Sequence, residues 1–187
     1  MSEGDFFRYL IAQLERHRLA YMVSGSVASS FHGEPRTSFD IDIVVEGTVD
    51  QIAGLCRELD ARCYVSPNAA QTAVREHGMF NVIDSQSGIK ADLILRKDRP
   101  FSEMEFQRRQ QVEICGVSAF LVSAEDSILS KLEWANFGES DRQYRDALNI
   151  ATGESKTQLD LSYLRHWAEQ LNVADALARL IKESGLR

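Results

Sequence analysis

Phe39-Asp40-Ile41-Asp42-Ile43-Val44-Val45 alternates strictly: Phe39, Ile41, Ile43 and Val45 point one way, and Asp40, Asp42 and Val44 the other. A run with that period reads as a half-buried strand, so two carboxylates stand on one face of one strand. Carboxylates at i and i+2 repel, and keeping both ionised without a cation is costly. Magnesium is the usual solution, since it prefers hard oxygen ligands and takes one or two carboxylates alongside substrate phosphates. By itself, an Asp-x-Asp is most often only the polar side of a surface strand, so its sequence context has to carry the argument.

Upstream, Tyr21-Met22-Val23 reads as a short buried strand that ends at Ser24-Gly25-Ser26. Val27 to His32 then looks like a helix start capped by Ser24 or Ser26, and Gly33-Glu34-Pro35 breaks it. A glycine turn between a strand and a helix N-terminus is a ready anion site, because main-chain N–H groups and the helix dipole face it and no side chain blocks a phosphate. Downstream, Ile89, Ala91, Leu93 and Leu95 alternate with Lys90, Asp92 and Ile94, so Asp92 leaves the apolar face as the first pair does. If these two strands are neighbours, three carboxylates converge beside a phosphate cradle, the arrangement that two-metal phosphoryl transfer needs.

The rest of the chain frames this constellation. Phe6, Phe7, Leu10, Ile11 and Leu14 predict an amphipathic helix from Gly4 to His17, and further helices are expected over 50–59 and 69–76. Phe80 to Asp84 and Ile89 to Leu95 read as a hairpin across Ser85-Gln86-Ser87-Gly88; Gln110 to Cys115 and Val117 to Val122 form another pair at Gly116. Beyond Val122 the pattern turns helical. Ser123 with Asp126 gives a capping-box signature, Ile128, Leu129, Leu132 and Ala135 continue the stripe to Gly138, and 140–151, 161–171 and 173–181 add three more helices. The expected fold class is α+β, a mixed β-sheet flanked by helices with a C-terminal helical part. The core is expected over 1–122, with 123–187 packed on it as one compact unit. Trp134, Tyr144 and Trp167 are expected in the core, and His32 reads as a helix-end polar residue rather than a base.

With 44% hydrophobic and 26% charged residues in 187, the chain suits one globular domain with a real core. Its net charge of -7 argues against broad sequence-independent nucleic-acid binding; Arg96, Lys97 and Arg99 form one small basic cluster and Arg108 with Arg109 another, and such runs are most often solvated surface. Cys56, Cys63 and Cys115 are an odd number without C-x-x-C spacing, which suggests reduced thiols rather than a disulfide framework or a zinc site. The first residues, MSEGDFFRYLIAQLERH, lack the basic start and apolar block of a signal peptide, and no stretch is long enough to span a bilayer. No membrane partner and a cytoplasmic location are expected.

Val23-Ser24-Gly25-Ser26 followed by Arg36-Thr37-Ser38-Phe39-Asp40-Ile41-Asp42-Ile43-Val44-Val45 resembles the signature of the polymerase-β-type nucleotidyltransferase superfamily, and Asp92 in Lys90-Ala91-Asp92-Leu93-Ile94-Leu95 matches its third carboxylate. Within that superfamily the chain looks most like small bacterial proteins related to the AbiEii nucleotidyltransferase toxins. Ser123 to Leu132, followed by Asp141-Arg142-Gln143-Tyr144-Arg145-Asp146, resembles their C-terminal helical motif. The resemblance covers Tyr21 to Val45, Lys90 to Leu95 and Ser123 to Ile150.

It implies a nucleotidyltransferase-like fold and a metal-dependent enzyme that transfers a nucleoside monophosphate from a nucleoside triphosphate to a hydroxyl acceptor. Asp40, Asp42 and Asp92 would be catalytic and hold Mg2+, or Mn2+ in its place, while Gly25 and Ser26 steady the leaving phosphates. Arg36, in the turn before the carboxylate strand, and Lys131, beside the stripe of Ile128, Leu132 and Ala135, are candidate nucleotide contacts; Lys131 equally reads as a lysine lying along apolar surface. The acceptor is left open among tRNA, a protein and a small molecule, and a toxin relative would have an antitoxin partner. Two other classes stay open: an inactive nucleotide-binding regulator, and a partner-binding module of a toxin-antitoxin pair.

Overall fold

Ser2 starts the first helix, α1 (Glu3–Arg16), through a capping box in which its hydroxyl accepts from the Asp5 N–H and the Asp5 carboxylate accepts from the Ser2 N–H. Phe6, Phe7, Leu10, Ile11 and Leu14 recur at helical spacing and are all buried. The computed structural model describes residues 2–34, 40–59, 61–138, 140–153 and 159–186. After α1 come β1 (Ala20–Ser24), α2 (Gly25–His32), β2 (Asp40–Glu46), α3 (Val49–Leu59), β3 (Cys63–Val65) and α4 (Pro67–Glu76). They are followed by β4 (Met79–Asp84), β5 (Lys90–Leu95), α5 (Pro100–Gln107), β6 (Gln110–Ile114) and β7 (Val117–Leu121), then α6 (Ala124–Gly138), α7 (Asp141–Thr152), α8 (Leu161–Gln170) and α9 (Ala174–Ser184). The fold class is α+β, as the patterns require. The short strand β3 and the helix α5 are additions to the elements that the sequence pattern predicts.

The chain forms two compact units, Met1–Ser26 with Ser38–Leu121, and Val27–Thr37 with Val122–Arg187. The first contains a mixed seven-stranded sheet in the order β3-β4-β5-β2-β1-β7-β6. β2 runs antiparallel to β1 and parallel to β5, β4 closes a hairpin on β5, and β7 runs parallel to β1 while pairing antiparallel with β6. Ile41, Ile43 and Val45 of β2 and Ala91 and Leu93 of β5 are fully buried or nearly so on one face. Helices α1, α3 and α4 pack within this unit against one another and against the strands. Each large aliphatic side chain buried there stabilises the fold by about 1.5–3 kcal/mol. The strict alternation of β2 therefore fixes its register, because a one-residue slip would turn Asp40 and Asp42 into the core.

The hairpin between β4 and β5 shows how short polar turns set that register. Gly88 takes φ +71°, the Asp84 N–H donates to Ile89 and the Gly88 N–H to Asp84. Burial alone would push the Asp84 carboxyl up, but it accepts from the Ser87 hydroxyl and N–H and faces Arg62, and together these hold it below the usual carboxylate range. The basic clusters are tied into the fold: Arg96 pairs with Glu46, Arg99 donates to the Ser102 hydroxyl, and the Arg109 guanidinium lies over the Phe106 and Phe120 rings. All three cysteines are unbridged thiols, Cys56 and Cys63 buried and Cys115 exposed. Among the described residues no helix is long and apolar enough to cross a membrane.

In the second unit α6 packs on α7 and α8, and α9 on both α7 and α8. Asp126, fully buried, accepts from the Ser123 hydroxyl at 2.7 Å and from the Tyr163 hydroxyl at 2.6 Å, and the Ser123 hydroxyl in turn accepts from the Asp126 N–H. This is the capping signature of Ser123 and Asp126 joined to a second helix. Three aromatic expectations need correction. Trp134 is 61% exposed, and Tyr144 and Trp167 are only half-buried. Helical spacing shows that a side chain lies on a stripe but not which stripe is covered, and Trp134 shares its outward side with Phe137, which is 80% exposed.

His32 ends α2, buried, with Nε2 2.8 Å from the Val122 carbonyl oxygen. Burial lowers its pKa. A histidine held below its unfolded value of about 6.5 leaves stability intact above that pH. Below it the unfolded chain takes up a proton that the folded chain resists, so stability falls as the pH drops from about 6.5 through the lower folded value. Urea midpoints measured from pH 7.5 to 5.5 are expected to decline in the native chain and to decline less in His32→Asn; equal slopes would refute this.

Candidate active site

The pairing of β2 with β5 decides how the carboxylates meet. The two strands are adjacent and parallel, with Asp42 directly opposite Asp92 and Asp40 opposite Lys90. On the other side of β2, Ser24 of β1 pairs with Asp42; on the other side of β5, Asn81 of β4 pairs with Asp92. Paired residues share a face, so Ser24, Asp42, Asp92 and Asn81 form one row across four strands, with Asp40 and Lys90 one step along it. Asp92 is 8% exposed, whereas Asp40 is open to solvent.

At the end of β1 the chain turns directly into α2 through Gly25, whose φ is +59°. A Cβ at this position would lie 1.8 Å from Asp42 Oδ2 and 2.8 Å from Asp42 Cβ. Both the left-handed backbone and the approach of the carboxylate therefore demand glycine. A carboxylate at the N-terminus of α2 also lies where the helix dipole favours negative charge. The expected cap takes a different form. The Ser24 hydroxyl donates to the Asp42 carbonyl at 3.4 Å and the Ser26 hydroxyl to the Asp40 carbonyl at 2.9 Å, so both serines tie the turn to the carboxylate strand.

Two residues join the face that the sequence reading did not single out. The Asn81 amide donates to Asp92 Oδ1, and Lys90 Nζ lies 3.2 Å from Asp92 Oδ2 and 3.6 Å from Asp40 Oδ1. The hydrogen bond to Asp92, reinforced by the charges of Asp92 and Asp40, raises the Lys90 pKa and keeps the ammonium charged. The available signal was position: Lys90 is two residues before Asp92 on the same strand face.

In kind and side, the donors fit a hard divalent cation: three carboxylates on one face, two of them in register. They do not form a finished cage. Among the described residues no group of three or more His, Cys, Asp or Glu side chains is gathered closely enough to hold a metal ion. Of the other sequence candidates, Arg36 lies outside the described residues. Lys131 belongs to the second unit, where its ammonium is buried, 3.1 Å from Asp146 Oδ2 and 3.3 Å from the Gln143 side-chain oxygen.

Solved structures whose folds align with this chain include nucleotidyltransferases and a nucleotidyltransferase-like protein. ANT(2")-Ia in complex with adenylyl-2"-tobramycin aligns over 92% of this chain and 98% of its own, with a TM-score of 0.59 at 12% identity. The fold here is nucleotidyltransferase-like. The lincomycin-bound lincosamide antibiotic adenylyltransferase LnuA aligns over 81% of this chain and 98% of its own (TM-score 0.55, 13% identity). An antigenic nucleotidyltransferase-like protein from Paracoccidioides brasiliensis aligns over 91% of this chain and 90% of its own (TM-score 0.58, 14% identity). No protein-family model matches the chain, and no curated protein matches its sequence.

Proposed function

We propose that the chain is a polymerase-β-type nucleotidyltransferase that moves a nucleoside monophosphate from a nucleoside triphosphate to a hydroxyl acceptor. The observation that carries this reading is Asp42 opposite Asp92 on adjacent parallel strands, with Asp42 seated against the Gly25 turn. Asp40, Asp42 and Asp92 would hold magnesium or manganese. The bound cation supplies Lewis-acid polarisation of the phosphates. Gly25 and Ser26 line the turn that faces the leaving phosphates, and the Ser26 hydroxyl braces the Asp40 strand. Asp92 takes the proton of the acceptor hydroxyl as its oxygen attacks the α-phosphorus, and the bond to the bridging oxygen breaks to release pyrophosphate. Arg36 stays in the proposal as a phosphate contact on its sequence position alone. A phosphate contact by Lys131 would require its ammonium to exchange Asp146 for the ligand.

The fold likeness to antibiotic adenylyltransferases and the net charge of -7 both favour a small-molecule hydroxyl, preferably on a cationic compound, over nucleic acid as acceptor. The AbiEii-like toxin reading, with its antitoxin partner, rests on sequence resemblance alone. Incubation with each labelled nucleoside triphosphate, Mg2+ and fractionated cell extract should label one fraction and release pyrophosphate. Tight nucleotide binding by calorimetry without pyrophosphate release in any fraction would replace this reading with a binding regulator.

Asn81 gives an independent check on Asp92. Removing a hydrogen-bond partner that orients a ligating carboxylate typically costs 10–100-fold in affinity or activity. Asn81→Ala should lower kcat about tenfold while leaving the melting temperature nearly unchanged, because Asn81 is exposed. Unchanged kcat would remove Asn81 from the site.

A further inference from the structure

Asp40 and Asp42 of β2 and Asp92 of β5 share one face of the sheet, and a cationic side chain of this chain reaches two of them. Lys90 reaches Asp92 and Asp40 at once, at 3.2 and 3.6 Å, because β2 and β5 are parallel and in register at that point. Its side chain is 36% exposed, so it is not a lysine locked into the core. Its pair with Asp40, which is open to solvent, contributes little to folding. Lysine also has a flexible four-carbon stem and a compact ammonium with rotatable donors, so it can change partners without moving the strand. A divalent cation bound to this face would take the same oxygens that Lys90 holds.

We propose that Lys90 is a positioning residue that competes with the divalent cation for Asp40 and Asp92, so that the cation loads together with the nucleoside triphosphate rather than ahead of it. This rests on the reading of these carboxylates as cation ligands. Without nucleotide, a divalent ion must displace or repel the ammonium. A triphosphate brings negative charge that gives Lys90 a new partner and frees the carboxylates. The dependence is on charge rather than shape, so arginine should preserve it and methionine remove it.

The test is Mn2+ binding to the full chain, measured by calorimetry and by the electron paramagnetic resonance signal of unbound Mn2+, with and without a non-hydrolysable α,β-methylene nucleoside triphosphate. With Mn2+ alone, Lys90→Met should bind about tenfold more tightly than the native chain, the size expected when a unit charge a few ångströms from a divalent ion in a partly solvated site is removed. Lys90→Arg should bind like the native chain, and with nucleotide present the advantage of Lys90→Met should fall below about twofold. Equal or weaker Mn2+ binding by Lys90→Met, including no measurable binding by either protein, overturns the proposal. Asp42→Asn separates the two levels. If it loses Mn2+ while Lys90→Met gains nothing, only the role of Lys90 fails. If Asp42→Asn binds Mn2+ as the native chain does, the cation-ligand reading fails and the proposal with it.

Discussion

Asp42→Asn is expected to lower kcat/KM for nucleotidyl transfer by about three orders of magnitude or more, which is at least about 4 kcal/mol of lost transition-state stabilisation. Asparagine has nearly the same shape, so the substitution changes charge and little else. Asp42 sits at the centre of the row that runs from Ser24 through Asp92 to Asn81, and its carboxylate approaches Gly25 at the helix start. A hard divalent cation binds carboxylate far better than amide, and the neighbouring Asp92 cannot replace the missing charge from its own strand. Stability should scarcely fall, because removing one of several clustered negative charges relieves repulsion. Steady-state pyrophosphate release with a matched acceptor, alongside thermal melting, reads both effects. Near-normal turnover in a folded Asp42→Asn protein would refute the catalytic assignment.

The sequence made parts of this site legible because they are local. Strict period-2 alternation through Asp40 and Asp42 names the face of β2, and the same logic names the face of Asp92 on β5. What alternation cannot say is which strands are neighbours. The pairing of Asp42 with Asp92 joins residues far apart in the chain, and it depends on β5 inserting beside β2 while β1 takes the other edge. Lys90 is not legible for the same reason: it becomes a bridge between two carboxylates only once Asp40 is its partner across the strands. Strand β3 was missed because three residues carry too little pattern. Helix α5 was missed because its buried set, Phe101, Ser102, Glu105 and Phe106, mixes polar with apolar side chains. In the helical part, spacing correctly indicated helices but not that the side bearing Trp134 and Phe137 would face outward.

Gly25→Ala is the second large effect, and it separates two reasons for a glycine. A left-handed backbone costs an alanine about 1–2 kcal/mol wherever it occurs. At Gly116, with φ +75° and nothing within 4 Å of an added Cβ, that strain is the whole penalty. At Gly25, with φ +59°, the added methyl also meets Asp42, not only at the movable carboxylate oxygen but at Cβ, 2.8 Å away, so the strand must shift as well. Contacts this close are not absorbed by a rotamer change, and misplacing a catalytic group by about 1 Å can cost about a hundredfold in rate. Gly25→Ala should therefore lose about a hundredfold or more in kcat/KM and melt earlier than the native chain. Gly116→Ala, its control, should melt earlier by a smaller margin and keep its activity. If the two variants lose stability equally and both stay active, then the Gly25 turn is only a turn, and its proposed role beside the leaving phosphates fails.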